Sequence, residues 1–433
     1  MPEEGVLSKS LSGNGKPNGS PVSINDEVAS FIKQIDSLST SLVLALKVTT
    51  TVQEKISETI AEFIDKHATL LAETENHASY SIERQHTLKY ENLKRQRENA
   101  ELTLSLLPRS FVVSLVTQFD AYLARLIRAL YYTKPELLNR EENNLSFVQL
   151  IEFNSIDAAK EYMLDREIER LLHKSYAEQF ALLENTFGVQ LRKEFSKIWR
   201  DFIEVAERRN LFIHNNGIVS GHYLTVCKEH GIPVDQTVKV GDTLSVSPDY
   251  FDSAYVCIYE IGVKLAHRIW RKFKPEELEK ADDNLNSITH NLIAMGRYDL
   301  AIALLDFASL TLDKHFSDET RRTFVLNRAL AYKMNKQENI CSLILAKDDW
   351  TASNDKFQLA VAVLSDNFNL AIKLMEKIGP NEAQDVSYKE WPLFKELRKT
   401  FEFHRTYEKI YNKGLQRVEQ VRKTNPQNKS ANL

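Results

Sequence analysis

The sequence predicts a predominantly all-α protein, on three observations. Apolar residues recur at three- and four-residue spacing through most of the 433 residues. Only 13 glycines and 11 prolines are present, several crowded near the N-terminus, too few turn residues for an all-β chain. One segment alone reads as β: Val238 and Val240 face Leu244 and Val246 across Gly241-Asp242, a small β-hairpin insertion. With 43% hydrophobic residues the chain can bury the cores of two or three domains.

Residues 1–24 are rich in Gly, Ser, Asn and Pro and are expected to form a disordered tail without chemistry. An N-terminal helical region over 25–104 follows. Its stripe runs Val28, Phe31, Ile32, Ile35, Leu38 and Leu42, then Val52, Ile56, Ile60, Phe63 and Ile64, as one long helix or a helical hairpin. The stripe changes phase around Ser37–Ser41, so a coiled coil and packing onto the body are both open. Residues 72–100 are polar and read as a solvated helix or connector.

A bundle is expected over 105–275. Pro108 suits the first turn of a helix striped by Phe111, Leu115, Phe119, Leu123, Leu126 and Leu130, and Pro135 opens the next element. Ser146 with Gln149 and Ser175 with Glu178 are capping boxes, and the second helix stops at Gly188. A helix over about 191–215 carries Phe195, Ile198, Trp199, Phe202, Val205, Ala206, Phe212 and Ile213, and ends at Asn215-Asn216-Gly217. Another helix spans about 249–272. Over 281–425 the chain repeats itself. Gly296-Arg297-Tyr298-Asp299-Leu300-Ala301-Ile302 matches Asp366-Asn367-Phe368-Asn369-Leu370-Ala371-Ile372, with a weaker copy at Leu330–Asn335. The 70-residue separation is about twice a tetratricopeptide period, so residues 281–380 resemble three degenerate tetratricopeptide-like pairs before a C-terminal tail. Such arrays offer concave surfaces to a protein partner and also serve as packing platforms.

A net charge of −4 argues against coating nucleic acid by bulk attraction, though a local basic patch is compatible with it. Cys227, Cys257 and Cys341 are scattered and odd in number, which fits a reducing compartment. With no secretory pattern and no evident membrane span, the expectation is a cytoplasmic protein without membrane association. No cofactor is expected. His222, Cys227 and His230 lack the close pairs and fourth ligand of a zinc site, so no metal is expected either. Tyr131 and Tyr132 can stack bases but more simply belong to a core.

Chemistry concentrates in Glu207-Arg208-Arg209-Asn210-Leu211-Phe212-Ile213-His214-Asn215-Asn216-Gly217. At 100° per residue, Arg209 falls inside the arc of Phe195, Ile198, Phe202, Val205 and Ile213, while Arg208 points elsewhere. A guanidinium there needs an anionic partner or a crevice that receives anions. Asn210 and His214, one turn apart, share the neighbouring edge. Arginine, amide and imidazole together suit metal-independent RNA cleavage. The 2′-hydroxyl is the nucleophile, histidine moves a proton, and arginine stabilises charge at phosphorus. Arg208 and Asn215 are weaker candidates for holding substrate. One copy is too sparse to supply both acid and base, so a twofold dimer would complete the site.

Arg-Asn-x3-His at a helix end, followed by Asn-Asn-Gly, resembles the HEPN superfamily signature over roughly residues 105–275. The resemblance implies a HEPN-like helical bundle, commonly dimeric, and an endoribonuclease of toxin, RNA-processing or antiviral phage-defence type. Arg209 and His214 take the signature positions and Asn210 the polar one between them. It implies RNA as substrate and a homodimer through this domain. Some members are non-catalytic, and a helical scaffold or interaction protein is the competing class; a nucleotidyltransferase-associated module is a third. In the plain structural alternative, His214 and Asn215 cap the helix, Gly217 turns the chain, and Arg209 pairs with a buried carboxylate.

Overall fold

The computed structural model describes residues 23–412 except 75–76, 139–144, 236 and 383–384. The chain is all-α in class: among the described residues, seventeen α-helices accompany one two-stranded sheet. It divides into two compact units at Ala281/Asp282. The expected tail, residues 1–24, lies outside the described residues but for its last two, and so does the chain beyond residue 412.

The first unit is organised by two long antiparallel helices, α1 (Ile24–His67) and α2 (Thr87–Thr133). At 1.5 Å per residue each is about 65–70 Å long. Their register is fixed at one end by Glu27 with Arg125 at 2.6 Å and by Phe31 stacked on Tyr122 at 4.1 Å, and at the other by Phe63 on Tyr90 at 6.1 Å. Between these points the better-covered positions of α1 are Leu42, Leu46, Thr49, Gln53, Ile56, Ile60 and Phe63, in alternating steps of four and three. Those of α2 are Tyr90, Leu93, Arg97, Ala100, Leu104 and Leu107. This is the seam of an antiparallel coiled coil, while α1 before the phase break packs onto the body through Val28, Phe31 and Ile35, so both alternatives are realised in one helix.

Pro108 does not open a helix. It lies within α2, which continues across the expected boundary between residues 104 and 105. The proline removes only one ladder hydrogen bond, while apolar neighbours on both sides hold the helix together. α2 is also long and apolar enough, by length and composition, to cross a membrane, contrary to the expectation that no run is. Only 28% of that apolar stretch is buried within the unit, while Leu115, Phe119, Tyr122, Leu123 and Leu126 of the same helix are fully buried there.

The β element is also displaced. Strands β1 (Ala68–Thr74) and β2 (His77–Ile82) pair antiparallel, Ala68 opposite Ile82 and Leu70 opposite Tyr80, in the stretch expected to be helix or connector. Leu70, Leu71 and Tyr80 are all exposed, so among the described residues the ribbon buries no face that would impose a period of two on the sequence. The expected hairpin at Val238–Val246 does not form. That segment instead meets the chain following residue 214, with Leu244 N donating to Gly217 O at 2.9 Å and Val219 N to Asp242 O at 2.8 Å. Its one bridge joins Ile218 and Thr243.

Between α2 and the second unit come α3 (Phe147–Ile151), α4 (Ile156–Leu172), α5 (Tyr176–Phe187), α6 (Leu191–Glu194), α7 (Ser196–His214), α8 (Gly221–Glu229) and α9 (Pro248–Phe273). Both capping boxes form, at Ser146 and Ser175, and Gly188 closes α5 at φ 62°. The core lies where α1, α2, α7 and α9 pack together, around Phe31, Phe119, Tyr122, Phe202 and Ile258.

In the second unit three helical hairpins follow one another: α10 (Leu278–Ala294) with α11 (Tyr298–Asp306), α12 (Asp318–Met334) with α13 (Glu338–Leu345), and α14 (Asp355–Leu364) with α15 (Phe368–Glu382). Their turns are equivalent. Gly296, Lys336 and Asp366 adopt φ of 77°, 60° and 56°, and Arg297 N, Gln337 N and Asn367 N donate to Leu292 O, Tyr332 O and Ala362 O at 2.8–2.9 Å. Two further helices, α16 (Asp385–Glu390) and α17 (Phe401–Tyr411), complete the described chain.

Candidate functional site

α7 is held by a buried stripe of Ile198, Trp199, Phe202, Ile203, Val205 and Ala206. Its last turn departs from the expected pattern. Leu211 is the buried residue there, packed with Val219, Tyr223 and Cys227, whereas Ile213 is 47% exposed. The returning segment after the helix covers the Leu211 side and leaves the Ile213 side open. Asn215 N and Gly217 N both donate to Leu211 O at 2.9 Å, and Asn216 and Gly217 take positive φ of 50° and 80°.

Arg209 is half-buried and faces α2. Its Nη2 donates to Asp120 Oδ2 at 2.6 Å and its Nη1 to Asn210 Oδ1 at 3.1 Å. Asp120 also accepts the hydroxyl of Tyr176. Burial raises the Asp120 carboxyl above its ordinary range, although Tyr176 and Arg209 both act to lower it. The carboxylate demanded by an arginine in the apolar arc is therefore Asp120. Asn210 aligns the same guanidinium. His214 is exposed and makes no hydrogen bond or ion pair with a described residue. Within one chain, then, Arg209 and Asn210 are brought together and His214 is not in contact with either.

The two weaker candidates are already engaged. Arg208 lies on another face of α7, where its Nε donates to Glu204 Oε1 at 2.7 Å and its guanidinium sits 3.9 Å from the Tyr250 ring. Tyr223 and Tyr250 hydroxyls donate to Glu204 at 2.8 Å each. Burial, then Glu204, pushes both phenols up, so they remain protonated donors. This network lines a cleft of about 340 Å³ with Asp201, Val234 and Leu244. Asn215 donates its side-chain amide to Ile218 O at 2.6 Å and serves the turn.

Three residues near the motif escaped the sequence pattern. Asp120 and Tyr176 are the partners just described, and Asp120 had a signal, a lone carboxylate beside Phe119 in an apolar stripe. The third is Arg109 of α2, whose Nη1 donates to Asn216 O at 3.3 Å and whose guanidinium lies 5.8 Å from the Phe212 ring. Elsewhere, Tyr131 is buried and Tyr132 donates its hydroxyl to Glu161. Cys227 is buried, and His222 lies 3.7 Å from Glu207. Among the described residues no three His, Cys, Asp or Glu side chains converge on a point.

Comparison with protein-family models, curated proteins and solved structures returned no match.

Proposed function

We propose that this protein is a metal-independent endoribonuclease of HEPN type, acting in the cytoplasm as a toxin or antiviral phage-defence effector. The observation that carries the reading is the end of α7. Arg209 is clamped by Asp120 and aligned by Asn210, while His214 stands exposed with its ring uncommitted.

In this reading the RNA supplies its own nucleophile. The 2′-oxygen forms a bond to phosphorus, its proton passes to a neutral imidazole, and the P–O5′ bond breaks as a protonated imidazole gives a proton to the leaving oxygen. The products are a 2′,3′-cyclic phosphate and a 5′-hydroxyl. Arg209 stabilises charge on the phosphoryl oxygens. Since each chain has one exposed His214 in this segment, acid and base come from the two copies of a twofold homodimer. The three hairpins of the second unit act as tetratricopeptide-like repeats that hold a protein partner or sense the trigger.

The experiment is incubation of purified protein with cellular RNA in chelator, beside Arg209→Ala and His214→Ala. Loss of cleavage in both variants supports the nuclease; full activity in His214→Ala refutes it. One observation favours a second reading, a non-catalytic scaffold. Both terminal nitrogens of Arg209 are engaged by Asp120 and Asn210 without any ligand, as at a purely structural helix end. That reading expects intact RNA and a stable protein complex.

A further inference from the structure

We infer that Arg109 is a phosphate-binding residue flanking the α7 motif, and that it supplies the net positive charge that draws RNA to a site where Arg209 is already paired with Asp120. The inference rests on the nuclease reading and concerns how its substrate is held.

Arg209 lies 2.6 Å from the Asp120 carboxylate, so at neutral pH the pair carries little net charge toward an approaching anion. The site also sits at the C-terminal end of α7, where the helix dipole presents its negative pole and opposes anion binding. A polyanion is attracted there only if another cation outweighs both effects.

Arg109 is placed to do so. Its contacts there are Phe212, three residues beyond Arg209 on α7 and hence on the Arg209 side of the helix axis, and Asn216, in the turn that follows the helix. It forms no ion pair with a described carboxylate. The carbonyl of Asn216 takes one N–H, from Nη1, at 3.3 Å. Nε is buried without a partner, but Nη2 is neither bonded to a described residue nor among the buried unpaired atoms, so it is open to solvent. The Asn216 contact and the Phe212 ring fix the guanidinium plane, leaving its outer edge to receive the oxygens of one phosphate. A guanidinium needed only to cap the helix end would require no such open edge.

The test is binding of a short single-stranded RNA to the full chain at several salt concentrations, for wild type, Arg109→Gln and Arg109→Lys. Removing one phosphate contact lowers the slope of log affinity against log salt by about 0.7 and weakens binding about tenfold at low salt. Arg109→Lys retains the slope, because the charge remains. An unchanged slope in Arg109→Gln beside a binding wild type overturns the inference alone. A wild type that neither binds nor cleaves RNA overturns the nuclease reading with it. Should the glutamine variant not fold, phenylglyoxal modification of wild type decides: Arg109 is protected by RNA if the inference holds and modified equally with and without RNA if it does not.

Discussion

Arg209 donates from Nη2 to Asp120 Oδ2 across 2.6 Å, joining the end of α7 to the middle of α2, and the same carboxylate takes the hydroxyl of Tyr176. Burial nevertheless raises the Asp120 carboxyl above its ordinary value of 3.8, so taking the group out of water outweighs both partners. A raised carboxyl in the folded state means that the fold holds this proton more tightly than the unfolded chain. Its contribution to stability is full below the ordinary value and is lost as pH rises through the raised one. The stability of wild type relative to Asp120→Asn therefore declines as pH rises above the ordinary carboxyl range, as urea midpoints at successive pH values will show. A relative stability that rises over this range contradicts the assignment.

Glu204 accepts three donors on the opposite side of α7, from Tyr223, Tyr250 and Arg208. Its side chain is only 12% exposed, so Glu204→Ala strands a guanidinium and two phenols. The expected loss is about 3–5 kcal/mol in denaturant unfolding, with a smaller loss for Glu204→Gln. A cost below about 1 kcal/mol for the alanine variant shows that water replaces the carboxylate freely.

Gly262 lies inside α9, where alanine ordinarily stabilises a helix by about 1 kcal/mol. Here a Cβ would stand 2.4 Å from Phe31 Cε1, and that ring is stacked on Tyr122. Gly262→Ala is expected to reverse the sign, costing about 1–3 kcal/mol through overpacking. A rise in thermal midpoint would mean that α1 shifts away without penalty.

The equivalent turns of the three hairpins make the same left-handed demand on different residues. Lys336 and Asp366 adopt the left-handed conformation that Gly296 adopts freely. Lys336→Gly and Asp366→Gly should each stabilise the chain by about 1 kcal/mol, and Gly296→Ala should destabilise it by a similar amount. Chemical denaturation of the single variants checks all three.

What the sequence made legible follows from burial. Helices with one covered face, such as α5 and most of α7, carried a readable stripe, and α5 its capping box and closing glycine as well. The exposed ribbon β1–β2 carried none, and the Val238–Val246 alternation misled because its partner is the chain after His214. Pro108 misled because the proline, itself buried, removes only one ladder hydrogen bond from a helix that continues well beyond it on both sides. At the site, Arg209 was legible as a charge in an apolar arc and its need for an anion followed. Asp120, 89 positions away in sequence, and Arg109, 107 from Asn216, required the antiparallel packing of α2 on α7.

The most direct measurement is the fate of a defined single-stranded RNA incubated with purified protein in excess chelator, with product ends identified. The account predicts fragments ending in 2′,3′-cyclic phosphate, and a rate lowered about 10²–10⁴-fold by His214→Ala and abolished by Arg209→Ala. RNA left intact by wild type, or cut equally well by His214→Ala, would contradict it.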